Sequence, residues 1–227
     1  MTRMNRRLVL ASAIALVLAA PAAAQELRPR LTETAAPARL VTLEGAERAA
    51  ALAQANRTLN AAQRLQGRFV QSSPDGSRAA GTFYMQRPGR LRFEYDPPAT
   101  LLIVADGSVV AMRDTALRTT ERTPLRSTPL HLILAETVDL ERAARIVRVS
   151  RSGPWMLVTA RDRTGQTEGS ITLKFYGPEA ALRAWDVTDA TGSRTQIELV
   201  DLTQPASLDR RLFRLEDVVS PNRGRRR

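Results

Sequence analysis

Residues 83–98 read FYMQRPGRLRFEYDPP, and their alternation decides which fold the chain can adopt. Apolar and polar side chains alternate on both sides of the Arg87-Pro88-Gly89 corner, which is the period of a β-strand. Phe83, Met85 and Arg87 share one parity and therefore one face. Leu91, Phe93 and Tyr95 share a face in the next strand, while Arg90, Arg92 and Glu94 point the other way. Leu101, Ile103 and Ala105 continue the pattern.

Working outward, "LQGRFVQS" meets "GTFYMQR" across "SPDGS", a turn sequence that suits a hairpin. "TLLIVA" and "SVVAMR" flank Asp106-Gly107, a strong two-residue hairpin signal. The stretch "RTPLRSTPLHLILAETVDLERAAR" breaks this rhythm with Pro124, Pro129 and a helix-like apolar cluster. Five more strand candidates follow: "RIVRVSR", "WMLVTARD", "SITLKFY", "LRAWDVTD" and "SRTQIELVDL". Upstream, Glu44 to about Arg64 has helical spacing, with Ala46, Ala50, Ala53, Leu59 and Ala62 on a shallow apolar face. The fold class is α+β, mainly antiparallel β, with short strands at even spacing curling toward a barrel. The helix and the central insertion are the elements available to cover one mouth. Large apolar residues on the concave side are core if the barrel closes and a binding cavity if it does not. Periodicity leaves both open.

The chain's ends point to export. Arg3, Arg6 and Arg7 precede the apolar run "LVLASAIALVLAA" and then "PAAA", the layout of a secretory signal peptide cut after Ala24. An uncleaved anchor is the alternative, but the run is short for a spanning helix. "NRRLVL" has paired arginines without the rest of a twin-arginine pattern, which favours general secretion. Residues 25–42 mix Pro, Thr, Ala and Arg without periodicity and read as a flexible lead-in, leaving residues 43–219 as one domain. The chain lacks cysteine, so neither a disulfide nor a lipid-bearing cysteine is available. A periplasmic protein is expected, as a monomer.

The formal charge is +11, and removing the three signal arginines leaves +8. Only Lys174 among the basic residues is lysine, a bias that fits codon usage better than selection for phosphate recognition. Residues 220–227 form a basic tail that suits anionic headgroups, an acidic partner or plain solvation. With an export signal, no nucleic-acid partner is expected.

Catalytic equipment is hard to assemble from these residues. His131 is the lone histidine, in the apolar setting "PLHLIL", and has no cysteine or second histidine to share a metal. No G-x-S-x-G elbow, P-loop or dinucleotide glycine pattern occurs. Neither a metal, a cofactor nor an enzymatic activity is expected.

In order along the chain, the signal segment, the helix, "LQGRFVQ", G-T-F-Y-M-Q-R-P-G-R-L-R-F-E-Y-D-P-P, "LIVADGSVV", "STPLHLIL" and "LFRLEDV" together resemble the LolA family of periplasmic lipoprotein carriers. The resemblance covers roughly residues 45 to 218. It implies an unclosed half-barrel of about ten or eleven strands whose mouth is covered by helices over an apolar cavity. It also implies lipoproteins as cargo, an inner-membrane ABC transporter as donor and an outer-membrane receptor as acceptor. By the same resemblance Arg87 is the lid latch. Phe83, Met85, Leu91, Phe93, Tyr95, Leu101 and Ile103 are the acyl-chain cavity candidates, and Pro129, Leu130, Leu132 and Ile133 the lid candidates. One departure stands out: relatives carry an aromatic-rich "L-W-x-Y" after the D-G turn, where this chain has "VVAMR" with Ala111 and Arg113. A different cavity wall is the expected consequence.

Three other readings stand beside the carrier. A lipid- or lipoprotein-sensing regulator of the RseB type would carry a second globular domain, for which little chain remains. A hydrolase would need a nucleophile and base that cannot be named here, and a lipidated receptor would need a cysteine. If the signal reading is right, intact-mass analysis of the exported protein will give a chain starting at Gln25. A mass that retains residues 1–24 would instead mark an anchor.

Overall fold

Twelve antiparallel strands form a single curled sheet in the computed structural model, which describes residues 39–163 and 169–215. The signal segment, most of the lead-in and the basic tail lie outside the described residues. From one edge to the other the sheet runs β1 (Val41–Thr42), β8 (Ala144–Ser152), β9 (Trp155–Asp162), β10 (Ser170–Tyr176), β11 (Ala181–Thr188), β12 (Arg194–Thr203), β2 (Arg64–Ser72), β3 (Arg78–Gln86), β4 (Arg90–Tyr95), β5 (Leu101–Asp106), β6 (Val109–Asp114) and β7 (Thr119–Pro124). Two meanders, β2–β7 and β8–β12, are joined by the β12–β2 pair. Strands β1 and β7 end the sheet without pairing to each other, so the barrel stays open. Register shifts at Ile146/Arg148, Lys174/Phe175 and Val200/Thr203 bend the β8–β12 half, as bulges do.

Strand parity sorts the side chains as the sequence predicts. Phe83, Met85, Leu91, Phe93, Tyr95 and Ile103 are all buried on the inner face. The outer face is less simple. The 3₁₀ turn Arg210–Phe213 crosses it, held by a 3.3 Å bond from Arg92 Nη1 to the Leu212 carbonyl. Leu215 then packs on the outward-facing Val104 and Ala111, which are fully buried. Arg92 therefore lies under a covering segment rather than in open solvent.

Helix α1 (Gly45–Ala61) lies across the concave side, and the insertion supplies two one-turn helices, α2 (His131–Leu134) and α3 (Leu140–Ala143). Asparagines fasten the insertion to α1. Asn60 accepts from the Val138 amide at 2.8 Å and donates to its carbonyl at 2.9 Å, and Asn56 accepts from the Leu140 amide at 3.1 Å. At the other side Gln54 and Thr58 donate to the carbonyls of Pro178 and Glu179 in the β10–β11 turn.

Three expectations need correction. The buried face of α1 is Ala51, Leu52, Ala55 and Leu59, whereas Ala46, Ala50 and Ala53 are exposed. Alanine occurs all round this helix, so its spacing marks no single stripe, and the bulkier Leu52 and Leu59 set the contact. Val41–Thr42, placed in the flexible lead-in, pairs with Ser150 and Arg151 as β1. Thr119–Pro124, whose last residues were assigned to the helical insertion, forms edge strand β7. Its threonines favour extended backbone, and Pro124 is tolerated at an edge where its missing N–H is not needed. With β1 and β7 the strand number rises to 12.

Gly81 on β3 reports how tightly the sheet curls. A Cβ there would lie 2.1 Å from the Glu94 carbonyl oxygen and 2.6 Å from the Phe69 ring. Gly81→Val should destabilise the fold by at least about 1–3 kcal/mol, read as a lower urea midpoint at unchanged slope. An unchanged midpoint would mean that the curvature here is looser than described.

Candidate functional site

The concave face encloses an apolar cavity of about 90 Å³. Phe93, Tyr95 and Ile103 line one wall, with Val110 and Met112 beyond them on β6. Trp185 and Val187 on β11 and Ile197 on β12 form the opposite wall, and the segment Ser127–Leu130 roofs it. Its aromatic side is a packed cluster. Phe69 sits edge-on to Phe93 at 4.8 Å and to Tyr95 at 4.9 Å, and Phe93 lies 6.1 Å from Trp185. Edge-on rings of this kind interlock and add to the burial term.

Polar groups at one end of the cavity are satisfied. The Tyr95 hydroxyl donates to Gln71 Oε1 at 2.6 Å, and burial pushes its ionisation above the ordinary phenol range. It therefore remains a neutral donor.

The near end of the lid is held at one corner. Arg87, only 6% exposed, donates from Nε to the Ile133 carbonyl at 3.0 Å. Two residues on, the Gly89 amide donates to the Leu134 carbonyl at 2.7 Å. Both acceptors belong to α2, whose last carbonyls lack partners within the helix. The corner thus caps the lid helix from outside. Burial lowers the guanidinium's pKa to about 10, so it stays charged at neutral pH. Gly89 has φ +72°, and its Cα hydrogens lie against the next turn: a Cβ would come within 2.5 Å of Gly107 Cα. The corner and the D-G turn are packed neighbours, and Asp106 Oδ1 fixes that turn by accepting from the amides of Ser108 and Val109.

The structure divides the sequence-derived candidates. Phe93, Tyr95 and Ile103 line the lidded cavity, together with Pro129 and Leu130 from the lid. Phe83 and Leu91 are buried core and line none of the described pockets. Leu101 is half-buried at the margin of that core. Met85, Arg87 and Ile133 line a second, larger cleft of about 420 Å³, and Leu132 borders a small pocket beside His131. His131 itself is half-buried, its Nδ1 2.6 Å from the Thr128 carbonyl oxygen. Ala111 and Arg113 do not alter the wall as expected. Val110 and Met112 take the inward positions on β6, and Ala111 faces the outer cluster.

The sequence reading missed Gln71, Trp185, Val187 and Ile197. Parity within β2, β11 and β12 carries the signal: Phe69 and Gln71, Trp185 and Val187, Thr195 and Ile197 each share a face. What parity lacks is any statement that these strands stand opposite β4–β6 across a void. Among the described residues no three metal-ligating side chains converge.

Set beside known proteins, residues 60–216 match the family described as outer membrane lipoprotein carrier protein LolA. The chain belongs to the LolA family. It is 30% identical over 134 residues to the outer-membrane lipoprotein carrier protein of Leptothrix cholodnii, a match spanning 56% of this chain and 62% of that relative. Against the protein of the same description from Chromobacterium violaceum it is 29% identical over 191 residues, spanning 80% and 89% of the two chains. Among solved structures, a LolA superfamily protein from Nitrosomonas europaea covers 73% of this chain at 11% identity with a TM-score of 0.41. LolA proteins are carriers rather than enzymes.

Within this LolA chain the Gly89 corner is a sensitive backbone position, left-handed and packed against Gly107. Gly89→Ala should cost about 1–2 kcal/mol for the left-handed backbone, before any clash with Gly107. Amide exchange in residues 130–135 should accelerate at the same time, because the bond to Leu134 is disturbed. Faster global exchange without a lid-specific change would argue against the capping role.

Proposed function

We propose that this protein is a periplasmic carrier that shields the acyl chains of lipoproteins and moves them from the inner to the outer membrane. One observation carries the reading: an apolar cavity roofed by a segment that a buried arginine fastens through one lid carbonyl, that of Ile133. Shielding acyl chains needs apolar lining and no reactive group. Each methylene kept from water is worth ~0.8 kcal/mol, so a chain of a dozen or so cannot cross an aqueous space bare.

The volume sets a condition on loading. An engineered protein cavity of about 150 Å³ accommodates a benzene, and the lidded cavity is smaller at about 90 Å³. Loading therefore requires the lid to move, which breaks the Arg87–Ile133 bond. A hydrogen bond to a charged group is worth about 1.5–3 kcal/mol. That equals only a few methylenes, so cargo can open the latch, yet re-forming it favours release. A donor transporter in the inner membrane and an acceptor receptor in the outer membrane complete this cycle.

Incubating the mature protein with lipoprotein-loaded spheroplasts should yield a soluble complex. Arg87→Leu should form that complex but pass lipoprotein to outer membranes roughly tenfold more slowly, the rate equivalent of the lost bond. Normal transfer by the variant would dismiss the latch and leave the carrier; absence of any soluble complex, with a known carrier succeeding in parallel, would dismiss the carrier itself.

A further inference from the structure

The second cleft is larger than the lidded cavity and lies open while the lid is shut. At about 420 Å³ it is bounded by the last turn of α1, the ends of β2 and β3, the start of β11 and the strand end at Leu202. Its inner wall is apolar, with Leu59, Leu65 and Met85 buried and Leu182 and Leu202 half-buried, while Thr58 and Gln204 add polar groups to the lining. Arg87 is the one charged side chain among its fully buried members. Its Nε is committed to Ile133, but its Nη1 is buried with no hydrogen-bond partner. A buried donor left unmade costs about 1–3 kcal/mol, more when charged, so an acceptor placed there gains that much.

The acceptor's chemistry can be narrowed. Exposed Arg183 and Glu179 stand on the rim with opposite charges, so the entrance shows no net preference for an anion. The apolar wall fits a hydrocarbon chain, and a single buried N–H beside it fits the carbonyl at that chain's head. We infer that this cleft is a second acyl site, in which a chain lies along Leu59, Met85 and Leu182 while its ester or amide carbonyl accepts a hydrogen bond from Arg87 Nη1. The inference rests on the carrier reading and adds a stage to it. Nη1 has no open surface in the closed arrangement, so the head carbonyl reaches it as the side chains around it shift, while Nε keeps its lid carbonyl and the lid stays closed. A chain therefore docks here before the smaller cavity is opened. Arg87 then has two tasks on two nitrogens, holding the lid with one and cargo with the other.

The test uses the mature protein and a monoacylglycerol bearing a diazirine in its palmitoyl chain, with photo-adducts mapped by mass spectrometry. Adducts are expected on residues 181–183 and 202 as well as on the lidded cavity at Met112 and Trp185. An ether-linked twin, which lacks the carbonyl, should label residues 181–183 roughly tenfold less. Ala181→Trp, which fills the cleft from a half-buried position and leaves Arg87 in place, should abolish labelling at 202 but spare Met112 and Trp185. Adducts confined to the lidded cavity, or cleft labelling that is equal for ester and ether, would overturn the second site and leave the carrier standing. No adducts in either place would remove both.

Discussion

A guanidinium buried to 6% exposure must find acceptors, and Arg87 finds its acceptor in the carbonyl of Ile133. Much of the concave side follows from that requirement. The corner that carries Arg87 also brings the Gly89 amide to Leu134, so two adjacent carbonyls of a one-turn helix are satisfied from one place. A four-residue helix has almost no stability of its own, since nucleation costs more than its few bonds return. The lid is therefore ordered by what it is bonded to. Asn56 and Asn60 hold its far end through Val138 and Leu140, and the corner holds its near end. An element fastened at two ends and weak between them is suited to opening as a unit.

The sheet makes this arrangement possible by remaining open. Twelve strands with the β12–β2 pair at the middle give a strongly curled surface whose two edges do not meet. Closure would have filled the interior with side chains. Instead, the aromatic cluster of Phe69, Phe93, Tyr95 and Trp185 packs the middle and voids remain on the concave side. The outer face is covered separately by the Arg210–Phe213 turn and Leu215, so the middle of β5 and β6, at Val104 and Ala111, is dry on that side too. That double covering explains why Val104 and Ala111 are as buried as the residues facing inward. It also explains why a departure at Ala111 leaves the cavity wall to Val110 and Met112.

Membership of the LolA family makes the chain one of the lipoprotein carriers, and the proposal that its lidded apolar cavity takes acyl chains has magnitudes that suit a reversible carrier. Hydrocarbon burial supplies many small increments, and the latch opposes them with one bond of modest size. The larger cleft beside Arg87 is the proposed place where a chain lies before the latch opens. Specificity for one lipoprotein over another has no visible basis in such a surface, because methylenes are alike wherever they come from.

Sequence alone determined the strands around residues 83–98 and their inner faces, because period-two alternation records which side of a strand meets water. It also fixed the D-G and SPDGS turns, whose residues carry their own backbone preferences. Family resemblance singled out Arg87, and its parity with Phe83 and Met85 already placed it inward. The contact face of α1 was not legible, since alanine on every side writes no stripe, and β1 and β7 were hidden in short or proline-bearing stretches. Nor could spacing separate cavity from core: Phe93 and Leu91 have the same parity on the same strand, yet only Phe93 borders the lidded void. That distinction depends on what stands across the interior, namely Trp185, Val187 and Ile197 from strands about a hundred residues away. Which nitrogen of Arg87 is bonded, and which is left free, is likewise decided by packing between β3, α1 and the lid, because parity sets a side chain's direction and tertiary contact sets its partners.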